Sequence, residues 1–152
     1  MIESRKCLAG TLASLLLILC FVWSSTALAQ VQVKLRVIGA SNEGKSIDPS
    51  LTDIFKDLGS LFSFTSYRLF RDENLTLPRN QTVSISTRRR VIEVTPVGTQ
   101  KDVAELKIKV VREGKEILNT QVRLFRGRTV LIGGGPRQSI EGIIIYALQA
   151  SF

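Results

Sequence analysis

The chain has no histidine, and its two cysteines, single tryptophan and single methionine all fall within the first 23 of its 152 residues. From Ser24 onward there is no disulfide framework, no thiolate nucleophile, no cysteine or histidine metal site and no histidine-based catalytic triad. These absences exclude most common hydrolase and metalloenzyme designs, so no cofactor or metal is expected. The carboxylates offer no substitute, because nothing in their spacing selects a pair facing each other across a substrate. Asp53 and Asp57 share a helical face at i and i+4 and are expected to point to solvent. There is also no long repeat and no low-complexity linker.

What the chain does have begins at its N-terminus. Arg5 and Lys6 precede an almost uninterrupted apolar stretch from Leu8 to Trp23, followed by Ser24-Ser25-Thr26-Ala27-Leu28-Ala29. This is the basic, apolar and small-residue order of a secretory signal peptide. The apolar core falls short of the roughly 20 residues that cross a bilayer, so a cleaved leader is expected in place of an anchor. Residues 1–29 are accordingly read as a signal peptide cut after Ala29, and residues 30–152 as one β-rich domain exported to the periplasm or beyond. Removing 1–29 takes away Arg5, Lys6 and Glu3, leaving 19 basic and 12 acidic residues and a net charge of +7. In an exported protein such a field suits acidic protein partners, anionic surfaces or acidic polymers.

Hydrophobic periodicity sets the fold class. Val31, Val33, Leu35 and Val37 alternate with Gln32, Lys34 and Arg36, the period of a half-buried strand. Asp48-Pro49 is a helix start, Leu51, Ile54, Phe55 and Leu58 share one helical face, and Gly59 is placed to end the helix. That helix is expected to cover one face of a sheet. Period two then returns through Phe62, Phe64 and on to Phe70, and in segments 82–86, 91–97, 104–112, 116–125, 129–132 and 143–150. Arg112-Glu113-Gly114-Lys115 closes the clearest hairpin, with Gly114 able to take positive φ. Gly133-Gly134-Gly135-Pro136 lacks the lysine and helix of a phosphate loop and reads as a turn between strands. The run 143–150 is too continuously apolar for an exposed strand and is expected at the centre of a sheet. The fold class is mainly β, a compact β-sandwich or partly closed barrel with one short helix.

The candidate binding residues are basic. Arg88, Arg89 and Arg90 stand together at the start of a strand, where guanidinium groups can grip phosphate or carboxylate with two hydrogen bonds. Lys107, Lys109, Arg123, Arg126 and Arg128 extend the set. The same charges also protect sheet edges against aggregation. Nucleic acid is not the expected partner, because the aromatic residues cluster around the helix and the following strand and are not interleaved with these bases.

The stretch from Leu118 to Gly134, with its threonine/valine strand, Gly127 turn and Val130-Leu131-Ile132-Gly133-Gly134 strand, resembles a strand-turn-strand segment of bacterial secretins. These are the outer-membrane channels of type II and type III secretion and type IV pili. The strand-helix-strand from Val31 to Phe70 is similar to the small periplasmic modules that precede the channel. The long amphipathic strands of a channel wall are missing, so the resemblance implies a detached, soluble module. The expectation is a non-enzymatic envelope protein that acts as a protein-binding or accessory module, and the resemblance implies a place in a secretion or pilus apparatus. The alternative is a module that binds an anionic ligand (lipid headgroup, acidic glycan or nucleic acid) through a basic patch.

Overall fold

A computed structural model describes residues 30–87, 89–136 and 142–151. They form eight strands: β1 (Val31–Ser41), β2 (Ser66–Leu77), β3 (Val83–Thr87), β4 (Arg90–Gln100), β5 (Val103–Arg112), β6 (Lys115–Phe125), β7 (Thr129–Pro136) and β8 (Gly142–Ser151). All pair antiparallel in two four-stranded sheets, ordered β2-β1-β8-β7 and β3-β4-β5-β6. The sheets do not close into a barrel, and the fold is a β-sandwich. β8 lies between β1 and β7, the central place that its apolar run required. The β5–β6 turn has positive φ at both Glu113 (51°) and Gly114 (78°), the geometry that matches a tight hairpin to strand twist.

β1 alternates as its sequence demands. Val31, Val33, Leu35 and Val37 face the second sheet and pack with Ile92, Val94, Leu106, Ile108, Val110 and Leu124, along with Tyr146 and Leu148 of β8. On the other face, Ile38 and Ala40 join Ile145 and Ala147 in a second core roofed by Leu51, Ile54 and Leu58. The molecule therefore has three layers, and β1 and β8 are covered on both sides over much of their length.

The roof is split where the sequence suggested one helix. Asp48 caps a 3-10 turn, Pro49–Leu51, by accepting from Ser50 N at 3.0 Å. A separate helix α1 (Phe55–Leu61) follows. Gly59 lies inside α1, and Phe62 terminates it. Tyr67 ties the roof to β2: its hydroxyl donates to Phe62 O at 2.8 Å and its ring meets Phe55 edge-on at 6.4 Å.

Two further differences from expectation have clear causes. β2 runs past Phe70 through the charged stretch 71–74, because these residues pair with the polar row of β1, Lys34 binding Asp72 at 3.3 Å. Gly133 to Gly135 is part of β7, with a register shift between Gly133 and Pro136, and is not a free turn. Gly134 is required for contact: a Cβ there would lie 2.0 Å from Tyr146 Cε2. Arg90 crosses between the sheets at this point, donating to Gly134 O at 2.9 Å and to the Tyr146 hydroxyl at 3.1 Å. Tyr146 is fully buried, and burial pushes its hydroxyl above the ordinary tyrosine range, with Arg90 opposing. Gly134→Ala is expected to destabilise the domain by about 1–3 kcal/mol through overpacking against that ring. Urea denaturation checks this; an unchanged midpoint would mean that the ring moves aside freely.

Candidate functional site

The polar row on the outer face of β1 begins as Gln32, Lys34 and Arg36 and then turns apolar at Ile38 and Ala40, where the roof begins. Arg36 sits at that boundary and is only 7% exposed. A buried guanidinium needs a charge partner and filled donors. Asp53, in the link before α1, supplies both: Nη1 donates to Oδ1 at 2.7 Å and Nη2 to Oδ2 at 2.8 Å. Asp72 of β2 adds a looser contact, 3.7 Å from Nε. The two-pronged pair holds the Asp53 carboxyl below the usual carboxylate range and raises Arg36 above its own, burial opposing in both cases.

Over this pair a cleft of about 420 Å³ opens between α1 and the start of β7. Thr129 and Leu131 of β7 and Gln149 of β8 line it from the sheet, and Asp53, Ile54, Asp57, Ser60 and Leu61 from the roof. Gly127 and Arg128, from the β6–β7 crossing, complete the lining. The crossing is held in place by Gly127 N bonding to Ala150 O at 3.2 Å and Arg126 N to Asp102 O at 2.9 Å. Among the described residues neither Asp57 nor Arg128 has an ion-pair partner, so the cleft carries one uncommitted charge of each sign. Its apolar lining is Leu61, which is 65% exposed, the half-buried Leu131 and the buried Ile54.

β7 borders the cleft and is the edge of its sheet. Among the described residues it pairs with β8 alone, leaving its outer row of N–H and C=O groups open. Its register shift at the glycines confines the regular part of that edge to 129–133.

Among the described residues, the seven basic residues singled out from the sequence do not meet on one surface. Lys107, Lys109 and Arg123 lie on the outer face of the second sheet, in register with Thr95 or Gln121, Glu93 and Glu105. Lys109 lies 3.6 Å from Glu93, and Arg123 bonds Glu105 at 2.6 Å. Arg89 is exposed in the β3–β4 turn, 3.6 Å from Glu113, whereas Arg90 turns inward to Gly134 and Tyr146. Arg88 lies outside the described residues. Arg126 pairs with Asp102 at 3.5 Å at the far end of the same sheet, about 30 Å away for strands of this length. Of the described members of the set, only Arg128 lines the cleft.

Arg36, Leu61 and Gln149 were not among the sequence-based candidates, and Asp53, expected to point to solvent with Asp57, instead pairs with the buried Arg36. The available signal was the change of β1's outer row from polar to apolar after Arg36, which marks where cover starts. Among the described residues no group of three or more acidic side chains is placed to hold a metal ion. Comparison with protein-family models, with curated proteins and with solved structures gives no match.

Because Asp53 titrates lower when folded, its contribution is full above the ordinary carboxylate range. It is lost as pH falls through the lowered folded value. Asp53→Ala, which strands Arg36, is expected to cost about 1–3 kcal/mol at neutral pH, and Asp53→Asn to flatten the acid limb of stability against pH. Denaturant midpoints measured across the acid range check both; a parental pH profile in Asp53→Asn would dismiss this pair as the anchor of the roof.

Proposed function

We propose that this chain is an exported, non-enzymatic protein-binding module of the cell envelope that takes an extended segment of a partner along β7. The observation that carries this reading is the edge of β7, which among the described residues pairs with β8 alone, beside a cleft where Arg128 and Asp57 have no ion-pair partner among those residues. An extended peptide added to a sheet edge gains main-chain hydrogen bonds, and its alternate side chains find specificity in an adjoining groove. Leu61 and Leu131 would take an apolar side chain, and Arg128 and Asp57 would read charge or peptide dipole at either end.

The non-enzymatic reading is supported by how the ionisable groups are used. Asp53 is committed to Arg36, and Glu93, Glu105 and Asp102 each face a basic neighbour. Export rests on the leader-like residues 1–29, and the place in a secretion or pilus apparatus on the resemblance carried by Leu118–Gly134. That segment runs from β6 through the crossing into β7, so the resemblance includes the strand proposed to meet the partner. The anionic-ligand alternative has less support, because Lys109, Arg123 and Arg126 have acidic partners and the basic residues are dispersed.

A photo-crosslinking residue at Thr129, compared with one at Thr95 on the opposite face of the sandwich, tests the reading in the producing cell. The expected result is capture of a secretion or pilus component from position 129 only. Equal capture from both positions, or attachment of lipid or glycan only, would reject it.

A further inference from the structure

β6 is a second open edge on the flank that carries β7, and its sequence is complementary to itself. Among the described residues β6 pairs with β5 alone. On either side of Thr120 stand Asn119 and Gln121 on the outer face, and Leu118 and Val122 one step further on the inner face. Beyond these, Arg123 is outward on one side. On the other side the strand bulges: Ile117 has no partner in β5, and Glu116 takes the outward place opposite Val111.

Residues directly opposite in an antiparallel pair lie on the same face of the sheet. Two β6 strands paired about a two-fold axis at Thr120 therefore set Leu118 against Val122 and Asn119 against Gln121. Arg123 falls against the Glu116–Ile117 bulge, and each contact occurs twice. Both charged side chains are exposed, Arg123 by 73% and Glu116 by 47%, and Glu116 accepts from Asn119 Nδ2 at 3.2 Å within its own strand. Arg123 already bonds Glu105 at 2.6 Å, and Glu116 lies 3.9 Å from Lys109, so the new contact would join two pairs into a four-membered row of alternating charge. Leu118 and Val122 pack against the core yet are only half-buried, a rim that a neighbouring copy would cover.

We propose that the chain forms a two-fold homodimer by antiparallel pairing of β6 with β6, joining two four-stranded sheets into one of eight strands. The occupant of this edge is a second copy because the complementarity is to the strand's own sequence. β7 has no part in the contact, so the dimer stands or falls separately from the partner proposed for that edge.

Sedimentation and light scattering of the protein purified from cells expressing the full chain test it over a wide concentration range. A concentration-dependent dimer is expected. Glu116→Arg and Arg123→Glu should each weaken it about tenfold by placing like charges opposite each other twice, and the double exchange should restore it. Thr120→Cys, at the axis, should form an intermolecular disulfide under a mild thiol oxidant, and Arg123→Cys should not. Circular dichroism confirms that each variant is folded. A monomer throughout, single variants with parental self-association, or a double exchange no tighter than the singles would overturn the proposal.

Discussion

β1 must satisfy two cores at once, and the rest of the molecule is arranged around that constraint. Its inward valines and Leu35 need the second sheet, while Ile38 and Ala40 on its other face need a roof. Full burial of each such aliphatic side chain is worth about 1.5–3 kcal/mol. β8, next to it, carries the same double demand through Ile144, Tyr146 and Leu148 on one side and Ile145 and Ala147 on the other. The edge strands β2, β7, β3 and β6 meet weaker demands, and each leaves one row of backbone groups unpaired among the described residues.

Magnitudes separate the interactions that hold the fold from those that decorate it. Exposed pairs such as Arg126–Asp102 and Arg89–Glu113 contribute about 0–1 kcal/mol each, with loss to screening. Arg36–Asp53 differs because one partner is buried and both prongs are made, so breaking it leaves an unpaired guanidinium beneath the roof. Arg90 has the corresponding role between the sheets, where Gly134 gives it a carbonyl and leaves room for Tyr146. Two of the chain's arginines thus act as internal fasteners, which reduces the basic surface below what net charge suggests.

Much of this architecture was legible in the residues. The alternation of β1, the Glu113-Gly114 turn and the continuous apolar run of β8 each pointed to the structure found, because local period and burial agree there. The candidate site was far less legible. Arg36 reads as one more exposed base in an alternating strand until the roof, set by residues 49–61, is placed over it. Arg71 to Asn74 reads as loop punctuation, yet cross-strand charge pairing with Lys34 keeps it in β2. Gly133 to Gly135 reads as a turn because the ring that needs the missing side chain, Tyr146, is supplied by another strand. In each case the deciding partner is distant in sequence, and period alone carries no information about it.

The claim that β1 and β8 form the doubly covered centre while β7 presents an open edge is tested most directly by residue-resolved amide hydrogen exchange. Exchange slowest across the β1–β8 ladder and markedly faster at the outward amides of 129–133 is the pattern the account predicts. Protection at 129–133 equal to that of the β1–β8 ladder, in the protein without a partner, would contradict it.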